Sequence, residues 1–434
     1  FWFKISSVFF LFSNLHSQNW TIETMADLPE AVSNNAVCEG FIEDTAFVYS
    51  FGGIDASKSP AGIHGRAFRY NTLTDEWKRI ADLPDGRGKI ASGASRVGEV
   101  IYIIGGYYVA NNQTEESSDR VHRYDVLNDE YLSDGAALPV PIDDHVQAVW
   151  RDSLIYVVTG WSDVRNVPDV QIYNPTEDEW MMGTRLLNSS SYTSFGASGA
   201  IVGDTIFYFG GATSGAANFP IQNTLRKGII NPDNPTEIEW SRFNLDNSIK
   251  GYRMACTTVG ETVHWLGGSG VTYNFDGIAY NGSGGVEPLN RALYLDTQME
   301  YKWQVSFEDE LPMDLRGIAS VNDTIKYLAG GMLANQIVTS QTYRLVWNAP
   351  LTNTRKIKAD AEFKIYPNPS SDLVYYEIEN SDFQAIHLYD IYGRLLEEQR
   401  GVNGHFSLQE HPNGHYFLML VDSGQNSYQI VVKQ

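Results

Sequence analysis

Short runs of apolar and β-branched residues recur along the chain, separated by polar residues, Gly and Asp. The runs have the length of strands, and alternation of apolar and polar positions is typical of sheets with one buried face. The stretch 97–134 shows the whole unit. An apolar run stops at Gly105-Gly106, and a polar excursion, a strand carrying Tyr124, a tight polar turn and Tyr131 follow. This order predicts consecutive antiparallel strands.

The unit repeats through most of the chain. Glycine pairs begin at positions 52, 105, 210, 267 and 330, and Thr159-Gly160 takes the remaining slot, so the period is 51 to 63 residues. A period of this length predicts a repeat architecture. An aromatic residue follows a polar turn after five of the six slots, and its large ring should pack between neighbouring sheets. These aromatic residues are Trp77, Tyr131, Trp180, Trp240 and Trp303. In three repeats a tyrosine lies seven residues before the aromatic residue: Tyr70, Tyr124 and Tyr173.

The two ends of the repeat region complement each other. Residues 19–29 match the last strand of a unit, but no glycine pair precedes them. The final glycine pair is followed by a strand at 341–347, but by no further aromatic strand. We therefore expect a ring of six sheets in which the N-terminal strand completes the sixth. Closing the ring in this way removes the exposed edges that an open array would leave.

The apolar run, glycine pair and spaced Tyr and Trp resemble the kelch repeat. The resemblance implies an all-β fold, a six-bladed kelch-type β-propeller over residues 19–347, followed by a small C-terminal β-sandwich. WD-repeat propellers fit less well, because the period is longer than about 40–45 residues. In addition, no Trp-Asp dipeptide ends a strand.

Residues 363–434 break the repeat and alternate apolar residues between Pro, Asn and Gly, which predicts the small sandwich. This segment resembles the type A C-terminal sorting domain of the type IX secretion system of Bacteroidetes bacteria. The resemblance implies contact with the secretion machinery, passage across the outer membrane, and removal of the domain or attachment to surface lipopolysaccharide. The residues that carry it are Tyr366, Pro367, Asn368, Pro369, Gly393 within the stretch 389–394, Gly414, Tyr416 and Lys433.

The N-terminal residues 1–18 combine Lys4 with an apolar run and small polar residues. The run is too short to span a bilayer of about 30 Å, so it predicts a truncated signal peptide, with a buried first strand as the alternative. Residues 348–362 lack strand periodicity and predict a polar linker. No transmembrane segment is expected. Together with the sorting domain, these features predict a protein exported through the Sec pathway and type IX secretion, then secreted or attached to the outer-membrane surface.

Composition narrows the possible partners. The 434 residues carry a formal net charge of −22, which disfavours nucleic acid because an acidic surface repels phosphates. The two cysteines, Cys38 and Cys256, form no metal-binding motif, and two buried thiols are expected rather than a bridge. Copper chemistry of the galactose oxidase type is disfavoured, because the nine histidines are scattered and four of them lie in residues 363–434. No metal or cofactor is therefore expected.

Charged residues just before the glycine-pair strands are candidates for a site at the mouth of the central channel. His145, Arg253 and Arg316 each lie fourteen residues before the first position of their slot. Lys89 lies in the corresponding segment before Gly105-Gly106, and Asp143 lies two residues before His145. A ring of arginines would bind a carboxylate, because guanidinium forks match it bidentately. The alternative is that each arginine pairs with a nearby Asp or a backbone carbonyl.

The long loop 269–290 carries a second set of candidates, the aromatic residues Tyr273, Phe275 and Tyr280. Loops on a rigid scaffold often present binding residues, and exposed rings stack on sugars or anchor protein partners. The alternative is that these rings fold back onto the propeller.

Two functional hypotheses follow. The leading one is a secreted or cell-surface binding module for a glycan or a protein. The alternative is an enzyme: kelch-type sialic acid mutarotases are six-bladed, secreted and bind a sugar acid, so the arginine ring is compatible with that activity or another carbohydrate-active one. The sequence does not decide whether the protein is an enzyme.

Overall fold

The computed structural model describes residues 19–110, 112, 114–214, 216, 218–297, 302–307, 311–348, 363–378, 383–390, 395–422 and 427–434. These residues form two compact units, one within residues 17–348 and one within residues 349–434. The described part of the chain contains no helix long and apolar enough to cross a membrane. The predicted signal peptide, the linker beyond Asn348, and Gly393 lie outside the described residues.

The first unit is a six-bladed β-propeller, as the repeat predicted. Each blade is an antiparallel sheet built on four strands, and three blades carry an additional two-stranded hairpin. The first strand of the chain, β1 (Asn19–Met25), belongs to the last blade. Short 3₁₀ helices lie at Pro60–Gly62 and Ala334–Gln336.

The strands of blades one to three are β2 (Ala36–Ile42), β3 (Thr45–Ile54), β4 (Ile63–Asn71) and β5 (Glu76–Ile80); β6 (Gly93–Val97), β7 (Val100–Ile104), β8 (Tyr107–Val109), β9 (Glu115–Ser117), β10 (Val121–Asp125) and β11 (Glu130–Tyr131); and β12 (Val146–Trp150), β13 (Leu154–Val158), β14 (Trp161–Ser162), β15 (Arg165–Asn166), β16 (Val170–Asn174) and β17 (Glu179–Met182).

The strands of blades four to six are β18 (Ser198–Val202), β19 (Thr205–Phe209), β20 (Thr224–Asn231) and β21 (Asn234–Asn244); β22 (Ala255–Val259), β23 (Thr262–Leu266), β24 (Arg291–Asp296) and β25 (Lys302–Phe307); and β27 (Ala319–Ser320), β28 (Ile325–Ala329), β29 (Met332–Leu333), β30 (Ile337–Val338) and β31 (Thr342–Asn348). The short strand β26 (Arg316–Gly317) precedes β27 in the chain but pairs in parallel with β2 of blade one.

The glycine pairs connect each blade to the next. Gly106 has a φ of +88°, and its N–H donates to the carbonyl of Ile142 in the following blade at 2.9 Å. A Cβ at Gly106 would lie 2.7 Å from the Ile90 carbonyl oxygen, so only glycine fits there. The second glycine of the other four pairs makes the same bond to the following blade. These bonds run from Gly53 to Lys89, Gly211 to Gly251, Gly268 to Pro312 and Gly331 to Val32.

Blade three adds a side-chain connection from the first position of the pair. The hydroxyl of Thr159 accepts a hydrogen bond from the Ser194 N–H at 3.0 Å and lies 3.2 Å from the Ser194 carbonyl of the following blade. Thr159 also adopts a φ of +46°. The threonine therefore keeps the backbone conformation of the glycine it replaces, and its side chain adds a connection to the next blade.

The spaced Tyr and Trp residues hold the outer strands together. The Tyr70 hydroxyl donates to Asp75 at 2.6 Å, and the Trp77 indole N–H donates to the Ala26 carbonyl at 3.1 Å in the neighbouring blade. Trp180 bonds the preceding blade in the same way, at the Ala136 carbonyl, at 2.8 Å. The large rings thus pack between sheets and also satisfy the backbone of the adjacent blade.

The ring closes between the two ends of the unit. Strand β1 pairs antiparallel with β31, and Trp20 lies opposite Trp347. Trp20 is only 2% exposed, and its ring centroid lies 5.2 Å from that of Trp347 and 5.3 Å from that of His264 in blade five. The closing strand is therefore anchored by a buried aromatic cluster shared by the last two blades.

A second ring of backbone hydrogen bonds closes one end of the central channel. We call its six members, one from each blade, the neck: each lies just before the innermost strand with a φ of +47° to +65°. Each neck residue is joined to the next blade by a backbone bond of 2.8 to 3.3 Å, and in blade six the donor is Leu315. The neck residues are Asn34, Ala91, Asp144, Gly196, Arg253 and Asp314.

A buried ion-pair cluster fills the neck. Arg253 binds Asp144 through two bonds, Nε to Oδ1 at 3.2 Å and Nη2 to Oδ2 at 2.6 Å, and its Nη1 donates to Asp314 at 3.0 Å. Asp314 also accepts from Ser33. Arg316 adds a longer contact of 3.7 Å to Asp144. Two guanidiniums therefore face two carboxylates, and the cluster is balanced in charge.

The second unit is a two-sheet β-sandwich with its own apolar core, which includes Val374, Phe406 and Leu418. One sheet has the order β32-β33-β36 and the other β35-β34-β37-β38. The strands are β32 (Phe363–Tyr366), β33 (Leu373–Ile378), β34 (Phe383–Tyr389), β35 (Leu395–Gln399), β36 (Asn403–Ser407), β37 (Gly414–Asp422) and β38 (Ser427–Lys433).

Trp20→Ala should lower the free energy of unfolding of the propeller by about 3–5 kcal/mol, because it empties a buried aromatic site at the closing strand. Thr24→Ala, at an exposed position of the same strand, should change it by less than about 0.5 kcal/mol. Urea unfolding followed by tryptophan fluorescence measures this, because all ten tryptophans precede residue 348. Equal stability of the two variants would contradict the role given to Trp20.

Arg253→Met should cost about 3–5 kcal/mol in the same assay, because it leaves buried carboxylates without their partner. The control is Arg79→Met, which removes an exposed pair with Asp82 and should cost about 0–1 kcal/mol. A cost for Arg253→Met no greater than that of the control would mean that the neck does not depend on its ion pairs.

Candidate functional site

The glycine pairs and the neck lie at the same end of the propeller, which we call the loop end. In each blade, the residue just before the neck residue forms an isolated backbone bridge with a residue that follows the glycine pair. Asp143, for example, exchanges two backbone hydrogen bonds of 2.9 Å with Trp161. The bridges fix the roots of the long loops beside the axis. The other five are Ser33 with Ile54, Ile90 with Tyr107, Phe195 with Ala212, Tyr252 with Ser269, and Met313 with Met332.

A small cavity of about 170 Å³ lies at the loop end. Bridge and neck residues of blades two to five form its floor, and loop residues form the rest of its wall. The cavity combines aromatic rings with charged groups. Its lining residues are Tyr107, Glu115, Asp143, Asp144, Trp161, Phe195, Phe219, Arg253 and Tyr280.

Four of the rings form a box. Trp161 lies edge-on to Phe195 at 5.2 Å and to Phe219 at 5.5 Å between ring centroids. Phe219 lies edge-on to Tyr280 at 4.8 Å. Edge-to-face contacts of this kind are a preferred geometry of aromatic pairs. The box brings together loops from three different blades.

The charged groups of the cavity are of two kinds. Asp144 and Arg253 belong to the balanced neck cluster. Asp143 and Glu115 have no cationic side chain within 4.0 Å among the described residues. Burial raises the pKa of both Asp143 and Glu115; the Arg253 charge opposes this rise, and the Asp144 carboxylate adds to it.

A larger cavity of about 410 Å³ occupies the central channel on the other side of the neck. The six innermost strands line it, largely with backbone and small side chains such as Gly93, Ala94 and Gly199. Both cysteines, which are free thiols, also line this channel. Small residues are needed here because six strands converge on the axis, so the channel is explained by propeller geometry.

The proposed channel-mouth residues do not share one place, and the equivalence of His145, Arg253 and Arg316 is corrected by the structure. Arg253 lies in the neck, whereas His145 and Arg316 lie beyond it and line the channel. The reason is that the segment between neck and glycine pair differs in length among blades, so a fixed count of residues misaligns them. The neck counterparts of Arg253 are Asp144 and Asp314.

Each of these side chains is engaged by the protein. Arg316 donates to the His145 carbonyl at 2.7 Å. Burial and, to a lesser extent, the nearby Arg316 charge lower the pKa of His145 to about 4. Lys89 is buried and contacts Asp85 at 3.1 Å, and it lines neither of the two cavities. Only Asp143 and Arg253 of this set line the small cavity.

The loop aromatics divide in the same way. Tyr273 is fully buried, and its hydroxyl donates to Asp314 at 3.4 Å. Phe275 is 5% exposed and packs in an apolar cluster with Tyr107. Tyr280 alone of the three lines the small cavity. Two of the rings therefore fold back onto the propeller.

Several cavity residues were missed by sequence reasoning. Glu115 and Phe219 lie in loops whose length was noticeable, but nothing in the sequence marked those particular residues. Trp161 and Phe195 were hidden because they are bridge residues, and the bridge is set by pairing between distant segments. The position of Trp161 directly after Thr159-Gly160 is the one signal that pointed to it.

The sorting-domain residues have structural roles in the second unit. The Lys433 ammonium donates to the Leu408 carbonyl at 2.7 Å, and the Asn368 side chain accepts from the Val432 N–H at 2.9 Å. Tyr366 bonds Glu377 at 2.7 Å, and the Tyr416 hydroxyl donates to the Pro412 carbonyl at 2.5 Å. Pro367 and Pro369 flank Asn368, and Gly414 begins β37.

Comparison with known proteins agrees with both units. Residues 364–434 match the model of the secretion system C-terminal sorting domain family. The Kelch-like protein terF of Aspergillus terreus is 28% identical over 207 residues, which are 46% of this chain and 42% of that protein. Kelch-like protein 36 of Bos taurus is 20% identical over 257 residues, 54% of this chain and 39% of that protein. The chain thus spans less than half the length of these relatives.

Among solved structures, the structure of YjhT superposes with a TM-score of 0.58 at 12% sequence identity, over 73% of this chain and 95% of that one. The likeness concerns the fold. The repeat signature, the closed ring of blades and the matched C-terminal segment lead to one conclusion: the chain is a kelch-type β-propeller protein with a type IX secretion C-terminal sorting domain, and it is exported to the outside of the cell.

Proposed function

We propose that the propeller is the exported cargo and acts outside the cell as a binding module for a protein ligand, with the loop end as its binding face. The observation that carries this proposal is the small cavity, in which four rings and two unpaired carboxyls meet at the roots of the long loops. A rigid scaffold that presents loop residues around a recess is a common arrangement for recognition.

The size of the cavity bears on the kind of ligand. At about 170 Å³ it is smaller than the roughly 300–1,000 Å³ of pockets for drug-sized ligands. It accepts one compact group rather than a sugar chain. A protein ligand would insert one side chain and bury further surface on the surrounding loops. Aromatic anchors in such recesses often dominate binding energy.

No observation now favours the mutarotase alternative. That hypothesis depended on arginines available at the channel mouth. Arg253 is bound by Asp144 and Asp314, and Arg316 by the His145 carbonyl and Asp144. Both guanidiniums are therefore already engaged by groups of the protein.

We expect the full-length protein to bind members of an array of purified extracellular proteins, and Tyr280→Ala to weaken that binding by roughly tenfold or more. The matched control is Leu127→Ala, an exposed apolar side chain in the β10–β11 turn, at the opposite end of the blades. Its binding should equal that of the unmodified protein. Surface plasmon resonance provides the affinities.

A glycan array is examined in parallel. Binding to glycans without binding to proteins would overturn the protein-ligand proposal and restore the glycan hypothesis. Protein binding that Tyr280→Ala and Leu127→Ala leave equally strong would remove the loop end as the binding face.

A further inference from the structure

The small cavity is lined by more acidic than basic residues: Glu115, Asp143 and Asp144 accompany Arg253 alone. Arg253 in the neck and Arg316 just beyond it balance Asp144 and Asp314. The carboxyls of Asp143 and Glu115 remain without a basic partner in the described part of the chain. A buried carboxylate without a partner is costly, so this arrangement calls for an explanation.

Asp143 is turned into the cavity by its surroundings. It is 3% exposed, and its Oδ2 accepts a hydrogen bond from the Ser117 hydroxyl at 2.6 Å. Its other carboxylate oxygen has no hydrogen-bond donor among the described residues. The indole N–H of Trp161, which is bridged to Asp143 through the backbone, is also buried without an acceptor. The cavity therefore contains polar groups whose bonding is incomplete.

The aromatic box supplies the second half of a cation site. Trp161, Phe195, Phe219 and Tyr280 line the same cavity as the two carboxyls. Ring faces attract ammonium groups, and the attraction is stronger when the group is removed from water. Carboxylates then provide charge-assisted hydrogen bonds to the N–H groups of the cation.

Other ligand classes fit these observations less well. An anion would meet two carboxyls whose charge is not compensated. A metal ion is a poor match, because the described residues contain no group of three or more His, Cys, Asp or Glu arranged to hold one. A neutral sugar would bring no positive charge to pair with the two carboxyls. A compact organic cation satisfies the rings, the carboxyls and the volume together.

We propose that this cavity binds the head of an alkylammonium group, with Glu115 and Asp143 as its carboxylate partners and the four rings as its walls. The inference deepens the proposed function and rests on it only for the source of the group. That source is either a free amine or the lysine side chain of a bound protein, and the chemistry of recognition is the same.

The raised pKa values of Asp143 and Glu115 are consistent with this assignment. In the empty cavity, burial and the Asp144 carboxylate disfavour the ionised form of each and outweigh the opposing Arg253 charge. A bound cation would favour that form, since opposite charge at short range stabilises a carboxylate. Binding of a cation would therefore be accompanied by ionisation of the two carboxyls.

The test is calorimetric titration of the full-length protein with n-butylammonium and, separately, with 1-butanol, a neutral compound with the same number of non-hydrogen atoms. We expect saturable binding of n-butylammonium and none of 1-butanol. Glu115→Gln should weaken the binding of n-butylammonium by roughly tenfold. Equal binding of both compounds, or no binding by the folded protein, would overturn the proposal.

A matched control lies one residue further along the same strand. Glu116 is exposed and pairs with Arg87 at 3.1 Å, outside the cavity. Glu116→Gln should leave n-butylammonium affinity unchanged. If Glu115→Gln and Glu116→Gln behave alike, the carboxyl assignment is wrong. Tryptophan fluorescence and circular dichroism establish that each variant is folded.

Two peptides that differ only by lysine or norleucine at one position distinguish the sources. Tighter binding of the lysine peptide than of both n-butylammonium and the norleucine peptide indicates a protein source. Binding of n-butylammonium alone indicates a free amine, and the ammonium site then stands while the proposed protein ligand falls. Conversely, array binding that depends on Tyr280 without any n-butylammonium binding retains the proposed function and removes this inference.

Discussion

Hydrogen bonds between neighbouring blades are the constraint on which the rest of this molecule depends. The second glycine of each pair donates its N–H to the following blade, and the neck residues are joined in a second ring at the axis. The Trp77 and Trp180 indoles add bonds at the outer rim. A blade taken alone would leave these backbone groups unsatisfied, and unpaired buried polar groups are costly. Ring closure by β1 therefore completes bonding that every blade needs.

The same constraint shapes the loop end of the propeller. The neck brings six left-handed residues together, and Arg253 spans the gap between Asp144 and Asp314 there. This cluster separates the residues that line the channel from those that line the small cavity. The bridges beside the neck then fix the loop roots. A recess at this end can consequently have a defined shape although its upper walls come from loops.

The pairing of charged groups distinguishes the neck from the small cavity above it. Within the neck, basic and acidic groups are matched. In the cavity above it, Asp143 and Glu115 have no basic side chain paired with them among the described residues. Paired and unpaired charged groups thus lie within one small region, and they differ in whether the protein supplies the partner. The match of residues 364–434 to the sorting domain family indicates that the protein is exported.

The sequence by itself determined the ring. The signals for the ring are local or periodic, and the structure confirms them. They are the glycine pairs, Thr159-Gly160 in the vacant slot, the spaced Tyr and Trp, and the complementary ends. The β1–β31 pairing and the sorting sandwich follow from the same kind of signal. Only the tertiary structure decided the site. Arg253 and Arg316 are equally distant from their glycine slots, yet Arg253 lies in the neck and Arg316 beyond it, because blade segments vary in length. Glu115, Asp143, Trp161, Phe219 and Tyr280 meet although they come from four blades, and no spacing along the chain encodes contacts between loops that are brought together by closing a circle.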